Sequence, residues 1–403
     1  MKGGPSVATK SVFRCARRAM YYKCQLMNTT SPALPAKSHY KILDGLRGVA
    51  AITVVIFHTF EAYAGGSVFK QHLNHGYLAV DFFFLLSGFV VAYAYDDRWD
   101  KMTQWDFYKR RLIRLQPMVI MGTIIGAALF YLQGGTVFPL VAATPVWKML
   151  LVMLVGFTML PLLKSMDIRG WDEMHPLDGP AWSLFFEYIA NIAYALGLRK
   201  LSNKLLSVFV FLSGLFLVQY LLFGPRGDVI GGWSVDRVQL HIGFARLLFP
   251  FFGGMLLMRL GKRIHVKGAF ALCSLLIVGS LAFPRIGGPQ HLWANGLYES
   301  FCIIVLFPII VAMGAGGTLV GAGANRLCKF LGDISYPLYI THYPLIYVYT
   351  AYVIQKKVPP VTGAIEGAFL LIAALLIAFA CLKLYDEPVR EWLGHRFLKK
   401  TTR

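Results

Sequence analysis

Two ionisable side chains lie in the first long apolar run of the chain, which opens at Asp44, itself a candidate site residue. Arg47 stands near the start of this run, and His58 follows eleven positions later. In an α-helix, eleven residues rise by about 16 Å and return to nearly the same face. This spacing predicts that Arg47 lies near a membrane surface and His58 lies deeper, on the same stripe. Because ionisable groups at that depth are costly, His58 is a candidate either for catalysis or for a buried structural hydrogen bond.

A second candidate site is formed by Arg111 and Arg114, which lie one helical turn apart in the basic stretch 109–114. Two guanidinium groups with this spacing can clamp phosphate groups. An ordinary positive anchor on the cytoplasmic side is the structural alternative. The stretch lacks a glycine-rich phosphate cradle, so hydrolysis of a nucleoside triphosphate is not indicated. We interpret it as a cytoplasmic loop at the mouth of the next span.

A carboxylate is predicted about two turns inside another apolar run, which begins at Pro180 and continues through Trp182 and Ser183. Proline suits the first turn of a helix, and tryptophan suits a membrane interface. Glu187 has no partner nearby in the sequence. It is therefore expected to be structural, to pair with an arginine, or to accept a proton.

Further polar residues lie in apolar runs and have simple structural explanations. Asp81 starts the second run, where a charge at a helix start is sufficient, and Ser87 precedes a glycine in a pattern typical of close helix packing. Tyr336, Tyr339 and His342 share helical spacing in the next-to-last run. A structural hydrogen bond explains His342 as well as a catalytic role does.

Long helices are needed to position these residues, and the composition of the chain predicts such helices. Of 403 residues, 57% are hydrophobic and only 15% are charged, whereas soluble proteins carry about 25% charged residues. Apolar runs longer than barrel strands recur along the chain. We therefore predict an all-α, polytopic membrane helical bundle and not an outer-membrane barrel.

The net charge of +20 arises from 40 Lys and Arg against 20 Asp and Glu. Because the basic residues fall between apolar runs, they indicate cytoplasmic loops and anionic lipid, and no nucleic-acid partner is expected. Charge parity predicts about ten transmembrane helices plus one re-entrant or interfacial helix at 147–163, with both termini cytoplasmic. The ten predicted spans are 43–63, 78–95, 115–133, 181–197, 205–223, 240–258, 268–283, 296–313, 335–354 and 362–382.

The composition divides the chain into three segments. Residues 1–40 are polar and basic and are predicted to be a disordered cytoplasmic segment. Residues 41–385 form the membrane domain, and residues 386–403 form a basic cytoplasmic tail. The six cysteines are scattered without paired spacing, so neither a disulfide framework nor a metal site is predicted.

Five motifs in this order resemble those of the acyltransferase-3 family of bacterial integral membrane O-acyltransferases. They are Arg47 with His58, Val-Asp-Phe-Phe-Phe-Leu-Leu-Ser-Gly-Phe at 80–89, Arg-x-x-Arg at 111–114, Trp-Ser-Leu-x-x-Glu at 182–187 and Ile-Ser-Tyr-Pro-Leu-Tyr-Ile-Thr-His at 334–342. The resemblance covers about residues 40–385. It implies ten spans in the bacterial inner (cytoplasmic) membrane.

The resemblance also implies a reaction and roles for individual residues. An acyl group, most simply acetyl, passes from cytoplasmic acyl-CoA to a hydroxyl of a cell-surface or secreted glycan. Arg47 and His58 match the catalytic pair, Arg111 and Arg114 match the stretch that meets the donor, and Glu187 matches the acidic residue of its block. The expected partners are acyl-CoA as donor substrate, the acceptor and the lipid bilayer, with no permanently bound cofactor.

Acylation of a hydroxyl by a thioester requires a general base and stabilisation of an oxyanion. A neutral His58 is the predicted base, and both direct attack on acyl-CoA and an acyl-histidine intermediate remain open. Glu187 is expected either to fix the imidazole tautomer or to bind Arg47. The alternative function is a proton-coupled transporter or flippase, in which His58, Glu187 and Asp81 form a proton relay.

Overall fold

A computed structural model describes residues 39–398, and within this range the regular elements are helices, without strands. The all-α prediction is therefore confirmed. Short 3₁₀ turns and two π-helical segments, Cys302–Leu306 and Leu382–Asp386, join or extend the α-helices. The α-helices are α1 Lys41–Ala64, α2 Ala79–Tyr95, α3 Gln104–Leu129, α4 Val146–Gly156, α5 Ala181–Leu196, α6 Asn203–Phe223, α7 Arg237–Leu260, α8 Ala269–Ala282, α9 Leu292–Phe301, α10 Phe307–Gly316, α11 Ala322–Lys356, α12 Pro360–Cys381 and α13 Glu387–Phe397.

Seven helices in the described range are long and apolar enough to cross a membrane, by length and composition. They support a multi-pass membrane protein. The predicted run at 147–163 contains only the 11-residue helix α4, which at 1.5 Å per residue is too short to cross a bilayer core of about 30 Å. The predicted basic segment 1–40, apart from its last two residues, lies outside the described residues, as does the end of the tail beyond residue 398.

Helix α3 begins earlier than the hydropathy pattern predicts. Thr103 accepts a hydrogen bond from the backbone of Asp106, and the Asp106 carboxylate accepts one from the Thr103 backbone, which completes a capping box. The helix therefore starts at Gln104 and already contains both Arg111 and Arg114. The interpretation of 109–114 as a loop was wrong, because its basic residues concealed a well-capped helix start.

Helix α11 also begins before the predicted span and runs for 35 residues, with Pro337 and Pro344 inside it. It packs along α1 at very short range. A methyl group at Gly48 would overlap with the backbone of Leu331, so only glycine allows this approach. Since α1 carries Arg47 and His58 and α11 carries the block at 334–342, this packing brings two of the sequence motifs together.

Helices α2 and α7 form a second close pair. Gly88 of α2 lies against the carbonyl oxygen of Phe251, and Gly254 of α7 lies against the carbonyl oxygen of Leu85. A buried ion pair adds to this contact, since Arg246 of α7 lies 2.8 Å from Asp81 of α2. Asp81 lies in the first turn of α2, in agreement with the interpretation as a helix-start charge, but it is fully buried there and is neutralised by Arg246.

Candidate active site

A cavity of about 890 Å³, including its open mouth, lies among α1, α2, α3, α5 and α11. Apolar side chains such as Phe83, Phe84 and Leu184 cover part of its wall. The polar wall contains many of the residues that the sequence singled out. The polar lining residues are Asp44, Arg47, Ser87, Arg111, Arg114, Ser183, Glu187, Ser335, Tyr336 and Tyr339.

Glu187 is held by two partners on neighbouring helices. Its Oε1 accepts a 2.5 Å hydrogen bond from Arg111 Nη2 and a 2.6 Å bond from Ser87 Oγ. The side chains of Arg111 and Glu187 are only 8% and 16% exposed, so each charge depends on the other for compensation. Glu187 therefore binds neither His58 nor Arg47, the two partners considered from the sequence.

Arg47 is fixed by the start of the Ile-Ser-Tyr-Pro block on α11. Its Nε donates a 2.7 Å hydrogen bond to Ser335 Oγ, and its Nη2 donates a 3.0 Å bond to the carbonyl oxygen of Gly332. Asp44, one turn earlier on α1, lies 3.6 Å away. The guanidinium is thus oriented by neutral acceptors and has a weak ionic partner, which leaves positive charge at the cavity.

Arg114 has no hydrogen-bond or ion-pair partner among residues 39–398, although it lines the same cavity. It faces the like charges of Arg47, Arg111 and Arg390, and the Asp386 carboxylate that acts on it is itself paired with Arg390. The cavity wall therefore holds three guanidinium groups against the two carboxylates of Asp44 and Glu187. Such an excess of positive charge in a partly enclosed site favours an anionic ligand.

His58 does not line this cavity but lies behind one layer of α11 side chains. Tyr339 lines the cavity, its ring centroid is 6.1 Å from that of His342, and the His342 ring is 5.6 Å from that of His58. The edge of Tyr343 closes the other side of His58, at 4.7 Å between ring centroids. His58 Nδ1 lies 2.7 Å from Oε2 of Glu61.

His342 is completely buried, and its Nδ1 lies 2.8 Å from the carbonyl oxygen of Tyr339. Its Nε2 is buried without a hydrogen-bond partner among the described residues. Tyr339 in turn shares a 2.8 Å hydrogen bond with Ser183 at the start of α5. Tyr336 donates to the carbonyl oxygen of Leu115 on α3. The block at 334–342 therefore links His58 to the cavity wall.

Two of the sequence candidates lie apart from this site. Trp182 is only 8% exposed, with the Arg246 guanidinium 5.1 Å from its ring centroid. Together with Asp81, it belongs to the packing of α2, α5 and α7. Across the described range, no group of three or more His, Cys, Asp or Glu residues is placed to hold a metal ion.

Glu61 and Ser335 are site residues that the sequence analysis did not single out. Ser335 and Tyr339 lie within the quoted block at 334–342. Glu61 was detectable in principle, since it follows His58 by three positions and residues three apart share a helix face. The contact of Tyr339 with Ser183 joins residues 156 positions apart and has no local sequence signal.

The segment between α4 and α5 packs polar groups against α11 beside Tyr343. Burial raises the pKa of Glu173 to about 7, although the Arg169 charge and a 2.5 Å hydrogen bond from Tyr347 oppose this shift. Burial also lowers the pKa of His175 to about 4. Both oxygens of Asp178 are buried without partners in the described range, and burial raises its pKa well above the ordinary carboxyl value.

Known proteins resemble this chain over most of its length. A putative O-acetyltransferase of Staphylococcus aureus (strain COL) is 24% identical over 83% of this chain and 55% of its own length. The O-acetyltransferase OatA of Staphylococcus aureus (strain NCTC 8325) is 24% identical over 87% of this chain. The chain covers 57% of OatA, little more than half of that relative.

A shorter relative, Protein 2 in picA locus of Rhizobium radiobacter, is 33% identical over 165 residues, which are 38% of this chain and 80% of that protein. No solved structure matches the chain. The family model Acyl_transf_3, described as an acyltransferase domain, matches residues 40–383. This range covers most of the chain and includes every helix that lines the cavity. The protein therefore belongs to the acyltransferase-3 family, whose members are enzymes that transfer acyl groups.

Proposed function

We propose that this protein is an integral membrane O-acyltransferase that takes an acetyl group from cytoplasmic acetyl-CoA and transfers it to a hydroxyl of a cell-surface or secreted glycan. One observation carries the proposal: the packed rings of Tyr339 and His342 connect the wall of an arginine-lined cavity with His58. Acetyl is favoured as the acyl group because relatives of this chain are named O-acetyltransferases.

The three arginines of the cavity suit the donor. Coenzyme A carries phosphate groups, and guanidinium groups bind phosphates through charge-assisted hydrogen bonds. Arg111 is already neutralised by Glu187, whereas Arg114 forms no ion pair among the described residues, and the carboxylate of Asp386, which also acts on it, is paired with Arg390. Arg114 therefore contributes the uncompensated charge, and Arg47, fixed by Ser335, presents a second guanidinium nearby.

His58 acts as the general base in this proposal. The acceptor oxygen attacks the thioester carbonyl carbon, a C–O bond forms and the C–S bond breaks. The hydroxyl proton passes to His58 Nε2, the coenzyme leaves as a thiolate, and the protonated His58 returns that proton to the thiolate so that the base is neutral again. Arg47 and His58 are about 16 Å apart along α1, so a long donor can hold its phosphates at one end and its thioester at the other.

The proposal includes a topology of about ten crossings in the bacterial cytoplasmic membrane, with both termini cytoplasmic. The seven long apolar helices, together with shorter helices such as α5 and α8, are the candidates for these crossings. Basic residues near the arginine-lined end of the cavity, including Lys109 and Arg110, favour the cytoplasm at that end.

The test uses purified protein in liposomes, acetyl-CoA labelled in its acetyl group and a panel of bacterial surface polysaccharides. We expect release of free CoA and ester-linked label on one polysaccharide. His58→Gln should reduce turnover by about 10²–10⁴-fold. The matched control is His72→Gln, since His72 is exposed and packs near Phe60 rather than at the site.

Two results would overturn the proposal. The first is binding of acetyl-CoA without release of CoA in the presence of any polysaccharide of the panel. The second is glycan flux across the liposome membrane that needs no CoA, as a transporter would produce. The transporter has less structural support, because His58, Glu187 and Asp81 bind Glu61, Arg111 and Arg246 in three separate clusters.

A further inference from the structure

Glu61 stands one helical turn after His58 on α1, and its Oε2 lies 2.7 Å from His58 Nδ1. We propose that Glu61 is a positioning residue, which holds His58 as the Nδ1–H tautomer so that Nε2 is free to accept the proton of the acceptor hydroxyl. This inference rests on the proposed function, in which His58 is the base.

The hydrogen bond determines the tautomer. A neutral imidazole carries one proton, and an ionised carboxylate can only accept a hydrogen bond. Nδ1 must therefore donate to Glu61, which leaves the lone pair on Nε2. Nε2 has no hydrogen-bond partner among residues 39–398. The His58 side chain is 16% exposed, so the ring is largely enclosed but still accessible.

The other groups that face His58 cannot replace Glu61. They come from α11 and are His342 and Tyr343, whose rings pack against the imidazole. His342 directs its own Nδ1 to the carbonyl oxygens of Leu338 and Tyr339. Glu187 is occupied by Arg111 and Ser87. Within the described structure, Glu61 is thus the carboxylate that His58 contacts.

The position of Glu61 is unfavourable for the helix by itself. Helix α1 ends at Ala64, with Gly65 in the left-handed conformation as its cap, and its last turn contains no basic residue. Negative charge near a helix C-terminus is destabilising, whereas an imidazolium there is stabilised. Both the helix terminus and Glu61 therefore favour the positive charge that develops on His58 as it takes up a proton.

Kinetics of two variants separate positioning from a structural role. Glu61→Ala removes the acceptor, and Glu61→Gln keeps an acceptor oxygen without its charge. We expect kcat to fall about tenfold to a hundredfold in Glu61→Ala, with the KM for acetyl-CoA unchanged, and Glu61→Gln to retain more activity. The control is Glu366→Ala, since Glu366 of α12 bonds Tyr352 and not His58. An equal loss of kcat in the control, or a change confined to KM, would overturn the inference.

The tautomer is also measured directly, by solid-state nitrogen-15 NMR of histidine-labelled protein in liposomes. The His58 signals are assigned by their absence in His58→Gln. We expect an Nδ1–H tautomer in the wild type and a shift toward Nε2–H in Glu61→Ala. An unchanged tautomer would overturn the positioning role. A wild type with the expected tautomer but no acyl transfer would instead overturn the proposed function and leave the Glu61–His58 pairing intact.

Discussion

Arg111 and Arg114 lie one turn apart on α3, yet of the two only Arg111 forms an ion pair among the described residues, since its Nη2 lies 2.5 Å from Glu187 Oε1. Arg114 forms no ion pair among the described residues and faces other arginines, and the Asp386 carboxylate that acts on it is already paired with Arg390. The two arginines of the Arg-x-x-Arg motif therefore have different physical roles. Arg111 joins α3 to α5 through a largely buried ion pair, and Arg114 supplies free positive charge to the cavity.

Replacement of these arginines should produce different defects. Arg114→Ala should raise the KM for acetyl-CoA roughly tenfold or more, because it removes a charge-assisted contact with the donor. Arg111→Ala should lower stability by about 3 kcal/mol, because Glu187 then keeps a buried and uncompensated charge. Steady-state kinetics and thermal unfolding in detergent measure the two effects. Arg110→Ala is the control, since Arg110 is exposed and does not line the cavity. Identical behaviour of the Arg111 and Arg114 variants would contradict this assignment.

The adjacent glycines Gly253 and Gly254 of α7 should respond oppositely to alanine. A methyl group at Gly254 would overlap with the carbonyl oxygen of Leu85, so Gly254→Ala should cost about 1–3 kcal/mol. At Gly253 the nearest atom would be 3.8 Å away, and Gly253→Ala should be neutral or stabilising by up to about 1 kcal/mol. Thermal unfolding of both variants in one detergent measures the difference. Equal stability of the two variants would show that α2 and α7 do not pack this closely.

The buried pair of Asp81 and Arg246 should show strong coupling in a double-mutant cycle. Arg246→Met alone leaves the Asp81 carboxylate buried without its partner and should cost about 3–5 kcal/mol. The double variant Arg246→Met with Asp81→Leu removes both charges and should be more stable than Arg246→Met. Unfolding of the wild type, both single variants and the double variant measures the coupling free energy. Additive effects would mean that the ion pair contributes nothing.

Glu173 should make the stability of the protein depend on pH. Burial raises its pKa to about 7 from an ordinary value of 4.5, so the folded protein retains a proton that the unfolded chain loses. The stability contribution of protonated Glu173 is therefore complete below pH 4.5 and is lost as the pH rises to about 7. As the pH rises between these limits, the Glu173→Gln variant should therefore lose less stability than the wild type.

Thermal unfolding of the wild type and of Glu173→Gln at about pH 5 and about pH 7.5, near the two edges of this pH range, measures the difference in their pH dependence. His175, whose pKa is lowered to about 4, gives an opposite slope below its ordinary value of 6.5, but it is present in both proteins and cancels in the comparison. Asp172→Asn is the control, because Asp172 is about half exposed and pairs with Lys164. A wild type and a Glu173→Gln variant with the same pH dependence would show that Glu173 is ionised in the folded protein.

Local chemistry explains which features were predictable from the sequence. Hydropathy over windows of about twenty residues identifies membrane helices, and the spacing of Arg47 and His58 on one helix follows from the helical repeat alone. The residues singled out from the sequence include most of the polar cavity wall, namely Asp44, Arg47, Ser87, Arg111, Arg114, Ser183, Glu187, Tyr336 and Tyr339. The helix starts at Gln104 and Ala322 were not predicted, because hydropathy is insensitive to polar first turns.

By itself, the sequence determined the all-helical class, the family and the set of ionisable residues that enter apolar surroundings. Only the tertiary structure decided the partners of Glu187, which is Arg111, and of Asp81, which is Arg246, whereas the pair of His58 with Glu61 is local to α1. The physical reason is that a buried charge takes the nearest partner that helix packing offers. Asp81 and Arg246 are 165 positions apart, and Arg111 and Glu187 are 76 positions apart. Such pairings depend on close contacts such as Gly48 against Leu331, which no local pattern encodes.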